Sequence, residues 1–146
     1  ELLLELISEC DIFVENYKVD GLKKYKLDFA SLKAAYPSLI YCSVTGYGQT
    51  GPYAHLPGYD MVAQSLGGLI SITGEEGRPP AKVPIAIDDI MTGMYACIGI
   101  LAALRHRDLT GIGQQIDLAL LDVQVAWLYN QGVNYFLDGK CLIQPL

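Results

Sequence analysis

Two adjacent carboxylates, Asp88 and Asp89, open a run that stays nearly apolar until Arg105, His106 and Arg107 close it. An acidic start and a basic end suit a helix whose macrodipole is positive at its N-terminus and negative at its C-terminus. The stretch Ile85–Arg107 therefore reads as a helix, buried on most of its circumference. Its apolar part looks too short and too interrupted for a bilayer, which needs about 20 apolar residues. A carboxylate at such a start has two uses. It can be the N-cap, accepting a backbone N–H of the first turn, or it can be held ionised by the dipole and poised as a nucleophile. Position alone leaves both uses open.

Other chemistry-bearing residues narrow the field by what they do not form. His55 and His106 share no metal-ligand spacing with each other or with the cysteines, so no metal site is expected. Cys10, Cys42, Cys97 and Cys141 are scattered without a C-x-x-C. They read as reduced, buried thiols of a cytoplasmic protein rather than as a disulfide framework. The net charge of -6 and the lack of a basic stripe argue against nucleic acid and against an anionic membrane surface. Gly46-Tyr47-Gly48-Gln49-Thr50-Gly51 fits the dinucleotide pattern G-x-G-x-x-G letter by letter. That fingerprint needs a helix to begin inside it, whereas Pro52 and then Pro57-Gly58 follow here. The segment reads instead as a loop whose backbone can approach something closely.

The elements that must position these groups follow from the pattern. Glu1–Cys10 has helical spacing, and Ile12-Phe13-Val14 is a short buried strand with Glu15 and Asn16 at its carboxyl end. Tyr17–Leu27 carries Lys18, Lys23, Lys24 and Lys26 and reads as a solvated helix face. Asp28 is placed to cap a helix Phe29–Tyr36 that Pro37 ends, and Ser38–Val44 is a second strand. Helix–strand–helix–strand with short connections signals an α/β domain around a parallel sheet. Ligands of such sheets bind at the carboxyl ends of the strands, where Asn16 and Thr45-Gly46-Tyr47 would lie. Tyr59–Leu69 looks like a helix with Asp60 near its start and Gly67-Gly68 loosening its end. Beyond the Asp88–Asp89 helix, Gln115–Leu121 is a strand candidate, and Asp122 could cap a last helix, Val123–Leu137.

Five segments in register resemble the family III coenzyme A-transferases: DIFVENY (Asp11–Tyr17), IYCSVTGYGQTGP (Ile40–Pro52), GYDMVAQ (Gly58–Gln64), DIMTG (Asp89–Gly93) and GIGQQIDLALL (Gly111–Leu121). That family includes formyl-CoA, carnitine-CoA and dicarboxylate CoA-transferases, and also the 2-methylacyl-CoA racemases. The resemblance implies a Rossmann-like parallel sheet flanked by helices, as a partial domain of an interlocked homodimer. Members are longer than this chain, so residues 1–140 are expected to be part of the large domain and Cys141–Leu146 an atypical tail. The start at Glu1, already inside an amphipathic pattern, suggests that the native N-terminus lies further upstream. Where the family has Pro-Gly after its Asn-Phe/Tyr-Arg, this chain has Val19-Asp20.

The resemblance also implies roles. Asp89, not Asp88, matches the catalytic aspartate. Asn16, Tyr17 and Lys24 match positions lining the coenzyme A site, with Lys24 as a cation for a phosphate. Gly46, Tyr47, Tyr59 and Asp60 match the active-site loop and helix start. Coenzyme A and acyl-CoA enter as substrates, beside a small carboxylic acid, with no tightly bound cofactor and no nucleic-acid or membrane partner. The implied reaction moves coenzyme A between an acyl-CoA and a free acid through an aspartyl anhydride and an aspartyl thioester. The racemase alternative needs a histidine where this chain has Tyr59. A phenol of pKa near 10 is a poor proton acceptor at neutral pH beside an imidazole near 6.5. A third reading makes the chain a folded binding or interaction module without activity. The loop TGYGQTGP most resembles the succinyl-CoA-dependent dicarboxylate transferases.

Overall fold

The computed structural model describes residues 2–75 and 77–140. Three parallel strands, β1 (Ile12–Glu15), β2 (Ile40–Thr45) and β3 (Gln115–Ala119), form one sheet in the order β1-β2-β3. Glu15 stands beside Ser43, and Thr45 beside Ala119, so all three carboxyl ends share one edge. Asn16 and Thr45 meet there, as the strand reading expects.

Six helices complete the described chain: α1 (Leu2–Ser8), α2 (Phe29–Ala35), α3 (Asp60–Leu66), α4 (Ile87–Thr110), α5 (Leu120–Trp127) and α6 (Tyr129–Asp138). One face of the sheet packs through Tyr41 onto Ile7 of α1 and Leu32 of α2, with Leu27 and Leu39 closing the cluster. Phe13 and Phe29 flank the Tyr41 ring at 5.2 and 5.8 Å, and its hydroxyl donates to the Leu27 carbonyl at 2.9 Å. Strand alternation turns Cys42 and its neighbour Ile116 to the opposite face. There α4 lies across β2 and β3, close enough that a side chain at Gly99 would meet Ile116.

Local signals read from sequence hold in several places. Asp28 caps α2, accepting from the Ser31 N–H at 3.2 Å and its hydroxyl at 2.7 Å. No helix begins inside Gly46–Gly51. Gly67 ends α3, and Gly68 follows in the left-handed region at φ +91°.

Other expectations are corrected. Tyr17–Leu27 is not a helix. It holds a turn closed by the Gly21 N–H on the Lys18 carbonyl at 2.8 Å, then a single 3-10 turn, Lys23–Tyr25. Asp20 takes the left-handed position of the first turn, φ +64°, and pairs with Lys23 at 2.7 Å. Asp122 caps nothing. The helix starts at Leu120, and the single helix expected after it is α5 and α6, meeting at Leu128. Of the cysteines read as buried, Cys42 is, whereas Cys10 and Cys97 are exposed, the latter on the open side of α4. Cys141 and the expected tail lie outside the described residues.

The largest correction concerns α4. It runs three residues beyond Arg107, to a left-handed Gly111 cap, and is long and apolar enough by length and composition to cross a membrane. It is not buried on most of its circumference either. Asp88, Thr92, Ala96 and Ala103 form the buried stripe, at spacings of one or two helical turns. Ile90, Met94, Ile98, Leu101 and Leu109 face outward, between 50% and 68% exposed. Small residues let the helix lie close on the sheet. The large ones, placed all round, have only this one layer to cover them. At its far end Arg107 reaches Asp11 at 2.8 Å and ties α4 to the start of β1.

Candidate active site

The start of α4 is built together with α3 and the segment that leads into it. Ala86 occupies the N-cap position and offers no side chain to the first turn. The cap comes instead from Asp60 on α3, whose Oδ1 accepts the Asp88 N–H at 2.8 Å. Neither Asp88 nor Asp89 is thus the N-cap that the sequence suggested. Asp60 is held in turn by Gln64 one turn along α3, whose Nε2 donates to Asp60 Oδ2 at 2.8 Å. The same amide grips the segment leading into α4, with Oε1 accepting the Val83 N–H at 2.9 Å.

This arrangement gives the two carboxylates different surroundings. Asp88 is 3% exposed, and its Oδ2 is buried without a partner among the described residues. Burial pushes its carboxyl up to about 6, with the charges of Asp60 and Asp89 adding to the shift. Asp89 is exposed, and none of the described side-chain hydrogen bonds involves it. Partial burial and then the Asp60 carboxylate raise it as well. Both shifts run against the helix dipole, which favours the ionised form.

Asp89 lines a cleft of about 250 Å³ at the carboxyl edge of the sheet. Asn16 and Tyr17 reach it from the end of β1, Thr45 and Gly46 from the end of β2, and Leu120 from the first residue of α5. Pro57, Gly58 and Tyr59 close it from the connection into α3, and Lys18 supplies a cation. The glycine loop approaches itself. A Cβ on Gly46 would stand 2.3 Å from Gly58 Cα, so both ends of the loop meet at this wall. Its middle is strapped down where the Gln49 N–H donates to Asp117 of β3 at 2.9 Å. The Gly46 carbonyl accepts the Leu121 N–H at 3.1 Å.

The residues singled out from sequence divide accordingly. Asn16, Tyr17, Gly46, Tyr59 and Asp89 share the cleft. Asp60 stands behind it as the cap of α4. Tyr47 packs edge-on against Tyr53 at 5.7 Å and is not among the lining residues. Lys24 lines a neighbouring groove with Tyr17, Gly21 and Leu22, its Nζ 4.7 Å from the Tyr25 ring. Tyr17 is the side chain common to both hollows. Sequence reasoning passed over Gln64 and Lys18. Gln64 closes the GYDMVAQ segment and is polar inside the apolar stretch of α3, and these were the signals available for it.

Comparison with known proteins bears out the family resemblance read in the sequence. The family model for CoA-transferase family III matches residues 1–144. The chain belongs to that family. Among family III relatives, a succinate–glutarate CoA-transferase of Agrobacterium fabrum is 51% identical over 139 residues, 95% of this chain and 35% of that protein. The succinyl-CoA:glutarate CoA-transferase of Homo sapiens is 42% identical over 140 residues, 96% of this chain and 32% of its own length. The crystal structure of a CaiB/BaiF family protein from Brucella suis superposes with a TM-score of 0.95 at 49% identity, over 98% of this chain and 38% of that one. The chain spans about a third of the length of the relatives it matches. The partial α/β domain expected from the sequence is thus what the family III fold contains here.

Proposed function

We propose that the protein carrying this chain transfers coenzyme A between an acyl-CoA and a free carboxylic acid, with Asp89 as the nucleophile. The observation that carries this reading is the Asp89 carboxylate. It stands at a helix start, without a hydrogen-bonding side chain among the described residues, in a cleft at the carboxyl edge of a parallel sheet. The dicarboxylic acids named for the relatives support succinyl-CoA as donor and a dicarboxylic acid as acceptor.

The steps balance as follows. Asp89 attacks the thioester carbonyl and the coenzyme A thiolate leaves, giving a mixed anhydride. The thiolate attacks the aspartyl carbonyl, releasing the first acid and leaving an aspartyl thioester. The acceptor carboxylate attacks that thioester, forming a new anhydride and freeing the thiolate again. Attack of the thiolate on the acceptor's carbonyl then gives the new acyl-CoA and restores Asp89. A carboxylate is a weak nucleophile, so the protein must supply position and donors for the oxyanions rather than basicity. The close-held loop at Gly46 and Gly58 and the first turn of α4 are suited to that task. Asn16, Tyr17 and Lys24 serve the coenzyme, and Tyr59 closes the acyl side. In the complete protein the open faces of α4 and α6 pack in a homodimer, which accounts for their apolar side chains.

Tyr59 also argues against the racemase alternative, because it sits where a proton-transferring histidine is required. The test uses the complete protein with succinyl-CoA and isotopically labelled glutarate. Coenzyme A should appear on the labelled acid, and hydroxylamine should convert Asp89 to a hydroxamate detectable by peptide mass. Deuterium entry at the alpha carbon of a 2-methylacyl-CoA, without coenzyme A exchange, would overturn the proposal in favour of a racemase.

A further inference from the structure

We propose that Gln64 is a positioning residue for the transfer step: its amide sets where α4 begins and so where Asp89 stands. The inference rests on Asp89 being the nucleophile. Gln64 is 0% exposed and the single amide makes opposed bonds on two sides. Toward α3, Nε2 donates to Asp60 Oδ2 at 2.8 Å. Toward the segment entering α4, Oε1 accepts the Val83 N–H at 2.9 Å, and Nε2 lies 3.5 Å from the Val83 and Ile85 carbonyls. With Oδ2 occupied, Asp60 presents Oδ1 to the Asp88 N–H at 2.8 Å. Asp89 is the next residue. No atom of Gln64 lines the cleft, so its effect on the reaction passes through the height and angle of the helix start. A shift of about 1 Å in a reacting group costs on the order of a hundredfold in rate.

A glutamine that merely satisfied its own hydrogen bonds would affect stability alone. The donor–acceptor pattern separates the two cases. Gln64→Glu sets a carboxylate against Asp60, and Asp60→Asn sets an amide against the Gln64 amide; each breaks the brace. Combined, the exchange restores the bond between the two side chains and the bond to the Val83 N–H, and gives up only the longer contacts to the Val83 and Ile85 carbonyls. The new asparagine donates to the new glutamate and still accepts the Asp88 N–H, while the glutamate's other oxygen accepts the Val83 N–H. The charge of the cluster is unchanged. In the complete protein, with succinyl-CoA and glutarate, each single change should lower kcat about thirtyfold or more, with KM for succinyl-CoA within threefold. The pair should recover at least tenfold of the lost kcat.

Single changes that leave kcat within threefold overturn the proposal. So does a pair that folds, by thermal melting, but turns over no faster than the slower single, or a pair that does not fold. If a single variant fails to fold, the pair decides: folding with turnover supports the brace. Asp89→Asn is measured alongside. Activity surviving in that variant locates the failure in the nucleophile assignment, whereas its loss with unaffected Gln64 variants locates it in the brace.

Discussion

Asp88 and Asp89 are neighbours in the chain with opposite surroundings, one sealed beneath the helix start and the other open to the cleft. Asp89→Asn keeps the shape but cannot form an anhydride, so exchange in the complete protein should fall by at least about a thousandfold while the melting temperature holds. Asp88→Asn should keep activity within about tenfold, and its stability should differ from the parent's in a pH-dependent way. Unfolded, the Asp88 carboxyl ionises near 4; folded, it does so near 6. Between those values the folded state binds more proton, so this group's contribution to stability falls as pH rises through the window and is level above it. The variant lacks that loss. Thermal melts from pH 4 to 7 should show it gaining on the parent up to about pH 6 and no further. A constant difference across that range would mean that Asp88 does not titrate there.

At the scale of elements, the loop between β2 and α3 depends on two glycines for contact rather than for flexibility. A methyl group on Gly46 would stand 2.3 Å from Gly58 Cα, and one on Gly58 2.1 Å from Gly46 Cα. Gly46→Ala should therefore cost about 2–3 kcal/mol and open the cleft wall, whereas Gly51→Ala meets no atom and strains only its own left-handed backbone at φ +96°. Chemical denaturation of both variants checks the order. The loop was legible in the sequence because Gly, Pro and their order carry backbone information locally. So were β1, β2 and the Asp28 cap of α2, each decided within a few residues. The cap of α4 was not, because its acceptor lies 28 residues away on another helix. Asp88 looked like a cap since a carboxylate at that position usually is one, and no local rule reports that Asp60 has already taken the N–H. The brace through Gln64 was half hidden for the same reason: Asp60 is one turn away on α3, but its other partners are the backbone of residues 83 and 85.

Across the whole molecule, one sheet face is packed on α1 and α2, while α4 on the other face turns Ile98 and Leu101 outward at 62% and 66% exposure. Family III relatives carry about twice as much chain again beyond what this one matches. If that face is covered in the dimer, Ile98→Glu in the complete protein should lower the dimer fraction in light scattering and the melting temperature together. Unchanged values in both would leave the face to solvent. The sharing of a helix start between α3 and α4 has a consequence in time. The first turn of α4 borrows its cap, so it is satisfied only while α3 is docked against it. The Asp89 environment is then among the last features to assemble and among the first to come apart. Warming should silence the reaction while most of α4 is still helical.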